Sequence, residues 1–186
     1  MSEMLEPLPK GMTREAYYTW AEAQTCGRFE LADGAVIAMA PERVAHTRAK
    51  SRAWLLLREA LAAANSPCEA LADGVTVEAG EGSAYEPDVV VHCGERLSDD
   101  AIATPSPLII VELTSPSNSR VDLTTKATDY LRLPGLRHYV ILHLGKRVVL
   151  HHHKLADGRI ETSILGAGAL VLDPPGISLS VEALLG

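Results

Sequence analysis

Pro87-Asp88-Val89-Val90-Val91-His92, followed after a short gap by Leu108-Ile109-Ile110-Val111-Glu112-Leu113, is the stretch on which the fold turns. Both runs are nearly continuous and rich in β-branched residues, so they read as central strands buried on both faces. Each carries one acid at its margin: Asp88 opens the first run and Glu112 stands near the end of the second. A carboxylate beside an apolar sheet needs a partner to offset its desolvation. Two converging carboxylates plus a backbone carbonyl suit an oxygen-ligand site for Mg²⁺ or Mn²⁺. Either acid alone reads as a solvated strand end; the pairing on adjacent buried strands favours the metal.

Working outward, Thr13 can cap a first helix that runs through Ala16 to Ala23 and closes at Gly27. In Arg28 to Met39, two apolar runs flank Asp33-Gly34, a hairpin signal because both turn residues accept positive φ. Leu-Ala-Asp-Gly recurs at Leu71–Gly74 and Leu155–Gly158 in unlike surroundings, which marks a reused turn and not a repeat. From His46 to Ala64 the apolar Ala49, Ala53, Leu56, Leu57, Ala60 and Leu61 recur at helical spacing. A strand over Gly74–Glu78 precedes the two central runs, and a helix over Asp122–Leu133 follows them, stopped by Pro134-Gly135.

Tyr139–Leu144, Arg147–His152 and Arg159–Leu165 alternate like an antiparallel meander, and Leu170–Leu185 adds a short strand and a helical turn at Val181–Leu185. Strands and helices interleaved in one mixed sheet place the chain in the α/β or α+β class. No linker divides it, so residues 13–186 read as a single domain after an N-terminal extension, 1–12.

Composition narrows the function classes. The 186 residues carry 17 Lys and Arg against 24 Asp and Glu, a net charge of −7. That balance removes the general attraction to nucleic acid or anionic membrane that a basic domain has. No apolar stretch reaches the length of about 18 residues needed to span a bilayer, and the acidic, proline-containing N-terminus does not fit a secretory signal. A cytoplasmic location is the default. Cys26, Cys68 and Cys93 are odd in number, widely spaced and without a CxxC pair, so they read as reduced buried thiols.

Several polar features have two readings. After the second central strand, Thr114-Ser115-Pro116-Ser117-Asn118-Ser119-Arg120 forms a polar connection, and Asp122 and Lys126 follow at i, i+4 spacing. That pair is either a surface ion pair worth about 0.3–0.5 kcal/mol, or Lys126 folds back toward the acids to orient a water or neutralise phosphate charge. In His151-His152-His153, alternation allows only His151 and His153 to share a face, a weak zinc signal without nearby cysteines or carboxylates.

His46, at the start of the long helix, can approach a phosphate or serve a structural hydrogen bond. Ser115 and Ser117 lack a GxSxG context, and no GxGxxG or P-loop indicates a nucleotide cofactor. Arg43, Arg48, Lys50, Arg52 and Arg58 form the best candidate phosphate-contacting face, although a solvated amphipathic helix carries the same charges.

At this point a family resemblance emerges. Tyr85-Glu86-Pro87-Asp88-Val89-Val90-Val91, then Val111-Glu112-Leu113-Thr114-Ser115-Pro116-Ser117, then Asp122, Lys126, Tyr130 and Gly135 through Tyr139 resemble the Uma-family putative restriction endonucleases of the PD-(D/E)XK nuclease superfamily. Phe29-Glu30-Leu31-Ala32-Asp33-Gly34 is similar to that family's early hairpin, and Pro41 followed by His46 to the start of its long helix. The Ser-Pro-Ser element with the following Asp and Lys makes the resemblance specific.

The resemblance implies a restriction-endonuclease-like mixed sheet flanked by helices, with an N-terminal hairpin and a C-terminal meander. It maps the motif acids to Asp88 and Glu112, with the Leu113 carbonyl as a third metal ligand. Where the wider superfamily has lysine two residues after the glutamate, this chain has Thr114, and the family's helix lysine falls on Lys126. Glu30 matches an early family glutamate and is either a third acid near the metal or an outward hairpin residue.

The activity implied is hydrolysis of DNA phosphodiester bonds with Mg²⁺ or Mn²⁺ as cofactor. The alternatives are a catalytically silent binding or assembly module on the same fold, and hydrolysis of another phosphoester. The superfamily often pairs as homodimers to cut two strands, but no residue here speaks for that. Basic residues do concentrate at Arg43–Arg58 and Arg120–Arg137, so local sign can differ from net sign.

Overall fold

Hydrogen bonding sorts the strands into three sheets and not into one. In this computed structural model the described residues are 7–114 and 120–186, with backbone only for 120–123. The polar segment 115–119 and the side chains of Arg120 and Asp122, including the Asp122–Lys126 pair, lie outside the described residues.

In chain order the elements are helix α1 (Arg14–Glu22), strands β1 (Phe29–Ala32) and β2 (Ala35–Ala38), and helix α2 (Val44–Ala63). Strands β3 (Glu69–Ala72), β4 (Thr76–Glu78), β5 (Ala84–Tyr85), β6 (Val89–His92), β7 (Ala103–Thr104) and β8 (Pro107–Thr114) follow. Helix α3 (Arg120–Arg132), strands β9 (His138–His143), β10 (Val148–Lys154), β11 (Ile160–Leu165), β12 (Ala169–Leu172) and β13 (Ile177–Ser180), and helix α4 (Val181–Leu185) complete the chain.

The principal sheet has the order β11-β10-β9-β8-β6-β3. Its one parallel pair is β8 with β9, and a parallel pair needs a crossover, which α3 supplies. The expected meander is β9-β10-β11, antiparallel throughout. A second sheet, β2-β1-β5-β4-β7, contains the early hairpin. It escapes a sequence reading because β5 and β7 are two residues long and carry no periodicity. The strand expected over Gly74–Glu78 thus belongs to this second sheet and not to the principal one. The third sheet is the hairpin β12-β13.

Alternation along the central strands divides the core. Val89, Val91, Ile109, Val111 and Leu113 pack on Ala49, Ala53, Leu57 and Leu61 of α2 and on the C-terminal hairpin and helix. Val90, Ile110, Tyr139 and Ile141 face the other way, onto Tyr130 of α3 and Val77 and Tyr85 of the second sheet. Burial on both faces is what the continuous β-branched runs anticipate. Truncation of a fully buried α2 residue such as Leu57 to alanine is the kind of change that costs about 2–5 kcal/mol. Among the described residues no helix is long and apolar enough to cross a membrane.

The cysteine reading needs correction. β3 and β6 pair with Glu69 opposite His92, so the next position sets Cys68 against Cys93, 4.3 Å apart at Cα and joined as a disulfide. Cys26 is free and exposed, not buried. The partners are 25 residues apart, and only the strand register brings them together.

Candidate active site

The β6–β8 register pairs Val89 with Val111; one step further it places Asp88 opposite Glu112. Into the same region the second sheet delivers Glu30 from β1, and α3 delivers Lys126 and, one turn on, Tyr130. The Lys126 ammonium lies 2.8 Å from Glu30 Oε1 and 3.5 Å from Glu112 Oε1. The Tyr130 hydroxyl donates to Glu112 Oε1 at 3.0 Å, and the Glu86 backbone amide donates to Glu30 Oε1 at 2.8 Å. Glu30, Glu112 and Lys126 are each 6% exposed. Lys126 also lies over the Tyr85 ring, 5.3 Å from its centroid, a cation–π contact.

Burial dominates the electrostatics. It pushes the Glu112 carboxyl up to about 8; Lys126 and the Tyr130 hydroxyl pull it down, while Asp88 and Glu30 add to the rise. Burial raises the Tyr130 phenol too, and the Glu112 charge works in the same direction. An acid raised this far beside a cation and two more acids is a functional-site signature with a stated cause.

Asp88 is held from two sides. Its Oδ2 accepts the Leu113 backbone amide at 2.6 Å, which ties it to the strand that carries Glu112. Its Oδ1 meets His46 Nε2 at 3.1 Å and the Lys50 ammonium at 3.4 Å. Lys50 also pairs with Glu42, and with Asp73 at 3.0 Å. Arg28 makes two hydrogen bonds to Asp73 and two to Glu86, closing the network toward the Glu30 side.

The Asp88 hydrogen bond holds His46 above the ordinary imidazole range despite its partial burial. Burial opposes the Lys50 charge, but hydrogen bonds to Glu42 and Asp73 and the Asp88 charge outweigh it and raise the ammonium. Burial likewise opposes the Asp73 charge and is outweighed by Arg28 and Lys50, so that carboxyl lies low.

The structure therefore brings Glu30, Glu112 and Lys126 into direct contact, with Asp88 and Leu113 joined alongside. Glu30 points inward, not out from the hairpin, and His46 is bound to Asp88. Lys50 is a correction: it does not belong to a solvated phosphate-contacting face but is buried at 5% exposure. The remaining members of that cluster also disperse. Arg52 donates to the Leu184 carbonyl, Arg58 covers the Trp54 ring, and Arg43 and Arg48 are exposed. A signal for Lys50 was present in the sequence, because positions 46, 50, 53, 57 and 61 trace one helical stripe. Glu42, Asp73 and Arg28 carried no local signal, since only folding joins their three segments.

The triple histidine is structural. His151 shares its sheet face with His138 and His153, as alternation requires, whereas His152 stacks on Tyr139 and bonds to Thr162. His138 Nδ1 bonds to His151 Nε2 and its Nε2 to the Pro174 carbonyl, both at 2.9 Å. Burial lowers His138 to about 3 and His151 to about 4, with neighbouring imidazoles adding to the effect. Among the described residues, the three histidines do not converge as ligands; Glu42, His46 and Asp88 do, with donor atoms within 4.8 Å of one another.

A groove of about 660 Å³ begins at Thr114, two residues beyond Glu112. Ala127, Leu131 and Arg132 of α3 form one wall, and Ile141 and His152 line the sheet side.

Comparison with known proteins finds a matching family and a similar fold. The family profile Uma2, described as "Putative restriction endonuclease", matches residues 14–184. A crystal structure described as a putative nuclease belonging to DUF820, from Anabaena variabilis ATCC 29413, superposes with a TM-score of 0.77. It shares 15% sequence identity, and the match covers 94% of this chain and 97% of that one, so it supports the fold alone. No curated protein matches the sequence.

Proposed function

This chain belongs to the Uma2 putative restriction endonuclease family, and from that premise we propose that it hydrolyses DNA phosphodiester bonds with a divalent ion, Mg²⁺ or Mn²⁺, held by Asp88 and Glu112. The observation that carries the reading is the buried Glu30–Lys126–Glu112 contact beside Asp88. Two acids around one buried lysine, with a third acid alongside, are costly to bury, and a fold that needed only stability is served as well by apolar residues there.

The donor set fits such an ion. Asp88 and Glu112 face each other across adjacent strands, and among the described residues Glu112 is engaged only through Oε1. The Leu113 carbonyl is the backbone ligand this reading assigns. When bound, the ion supplies positive charge that polarises a phosphoryl oxygen and lowers the pKa of a water ligand.

The chain's own residues prepare the chemistry. The Leu113 amide holds the Asp88 carboxylate in one rotamer, and Tyr130 does the same for Glu112. Lys126, anchored by Glu30, keeps a positive charge where the attacking water is oriented and transition-state charge develops. The groove from Thr114 gives the substrate strand room beside these groups. Cutting both strands of a duplex takes two such sites, and a homodimer supplies them.

The test is cleavage of supercoiled plasmid, linear duplex, single-stranded DNA and RNA by purified protein with Mg²⁺ or Mn²⁺. The expected result is ion-dependent DNA cleavage lost in Asp88→Asn and in Glu112→Gln, with both variants folded. Undiminished cleavage by the double variant overturns the assignment, and cleavage of RNA alone overturns the substrate.

A further inference from the structure

The β3–β6 ladder is fastened differently at its two ends. At one end Cys68 and Cys93 are joined as a disulfide. The rungs that follow pair Glu69 with His92, Ala70 with Val91, Leu71 with Val90 and Ala72 with Val89. One step past the last rung sets Asp73 opposite Asp88. Like charges directly opposed across two strands repel. Here the buried Lys50 ammonium bridges them, 3.0 Å from Asp73 and 3.4 Å from Asp88. A covalent fastening and an electrostatic one thus close the two ends of one short ladder.

The covalent end lies where a small molecule can reach it. β3 is an edge strand of the principal sheet and pairs with β6 alone, and Cys68 and Cys93 are both half-buried. Besides the ladder, β3 is held by the Trp54 indole, which donates to the Ala70 carbonyl at 2.9 Å. A short edge strand belongs to the part of a fold that opens most easily, so a bond across it decides how firmly it stays. The loop that this bond closes contains Asp73, Glu86 and Asp88. Opening the bond returns conformational freedom to that loop.

We propose that Cys68 and Cys93 are a reversible thiol–disulfide site that sets how firmly Asp73 and Asp88 are held. A thiol reductant supplies two electrons and two protons. Its thiolate attacks one sulfur and the Cys68–Cys93 bond breaks; a second thiol of the reductant then resolves the mixed disulfide, leaving two cysteine thiols and the reductant oxidised to its own disulfide. A disulfide oxidant runs the same exchange backward. With the bond open, the Asp73 end is held against charge repulsion by Lys50 and by the Arg28 fork on Asp73. The clamp stands on this geometry; its one consequence for turnover, faster DNA cleavage by the oxidised form, rests on the nuclease reading.

Thiol counting and amide exchange test the site without any turnover. Under denaturing alkylation the oxidised protein presents one thiol, Cys26, and the protein reduced with dithiothreitol presents all three. Hydrogen exchange of the β3 amides quickens by about tenfold or more on reduction and slows again on reoxidation with glutathione disulfide. The Leu113 amide, bonded to Asp88 Oδ2, moves in the same direction by a smaller factor. Cys68→Ala with Cys93→Ala reproduces the reduced protein and no longer responds to dithiothreitol.

Three alkylated thiols after treatment with glutathione disulfide overturn the site, as does β3 exchange that is equal in the two states. Loosening of β3 that leaves the Leu113 amide unmoved overturns the link to Asp88. Reduced wild type that does not fold overturns the proposal too, because a bond the fold requires is no switch. If only the double variant fails to fold, wild type with and without dithiothreitol decides by the same criteria. Failure of the two readings is distinguishable. Redox-dependent exchange without cleavage of any nucleic acid removes the nuclease reading alone. Ion-dependent cleavage at equal rates in the two states, with β3 exchange also equal, removes the clamp alone.

Discussion

On β1, β6, β8, α2 and α3, Glu30, Asp88, Glu112, Lys50 and Lys126 are buried as a mesh of opposite charges. On β9 and β10, His138 and His151 are buried as rings that bond to each other and to a backbone carbonyl, with the half-buried His153 stacked against both. Both groups occupy the principal sheet and its neighbours, and both hold titratable side chains almost out of water. His138 and His151 solve the problem by staying neutral, bonded to each other and depressed in pKa by burial. The acids do not. Glu112 remains poorly compensated, and burial outweighs the Lys126 charge beside it. A satisfied, neutral cluster is the mark of structure; an acid kept in an unfavourable place is the mark of a site.

The largest effect that can break this comparison is on activity. Glu112→Gln and Asp88→Asn each reduce ion-dependent cleavage by at least about 10²-fold, measured as initial rates on plasmid. The same Glu112→Gln raises the melting temperature near pH 7. The folded-state pKa of Glu112 lies above its ordinary value, so its contribution to stability is complete below the unfolded pKa and is lost as pH rises toward about 8. A neutral amide is free of that loss. An active, unstabilised Glu112→Gln protein removes the contrast altogether.

Lys126→Met comes next. It leaves Glu30 and Glu112 buried without their shared cation, and removal of one partner from a buried pair costs about 3–5 kcal/mol. Urea unfolding measures it, and a change below 1 kcal/mol, on the order of an exposed pair, shows that the lysine is not holding these acids.

The histidine cluster yields a smaller effect with a defined pH window. His138 and His151 are neutral when folded down to about 3 and 4, whereas the unfolded chain takes up those protons near pH 6.5. Stability is therefore full above about 6.5 and falls progressively below it. Melting curves between pH 7 and pH 4 should show this loss, and His138→Phe should flatten it while neutral-pH cleavage is kept. Loss of cleavage in that variant gives the histidines a functional part and blurs the distinction. Smallest of the four, Arg28→Lys gives up a two-sided fork on Asp73 and Glu86 at a half-exposed position. The expected cost is about 1 kcal/mol, read by the same denaturant titration.

These contrasts also separate what was legible in the chain from what was not. The early hairpin, α2, the two central strands, the β9-β10-β11 meander and the closing helix all announce themselves through local periodicity or turn chemistry. The second sheet does not, because two-residue strands have no pattern to read. Asp88 and Glu112 are visible as acids bordering apolar runs. Lys126 is visible only with the family's pattern beside it, since an i, i+4 acid–base pair looks like any helix surface. Lys50 reads as part of a phosphate-contacting basic face although its helical stripe points inward, and Cys68 and Cys93 read as reduced buried thiols because spacing along the chain says nothing of strand register.

By itself, then, the sequence determined the central strands, their burial on both faces and the two acids at their margins, because these follow from side-chain period and chemistry within a few residues. Which way Glu30 points, which acid Lys50 joins, which cysteines meet, and that the conspicuous His151-His152-His153 does not converge as a ligand set while the dispersed Glu30, Glu112 and Lys126 come into contact beside Asp88, was decided only by the tertiary structure. Those outcomes depend on electrostatic and packing partners that lie 14 to 96 residues apart in the case of Lys126 alone, and no local pattern encodes them.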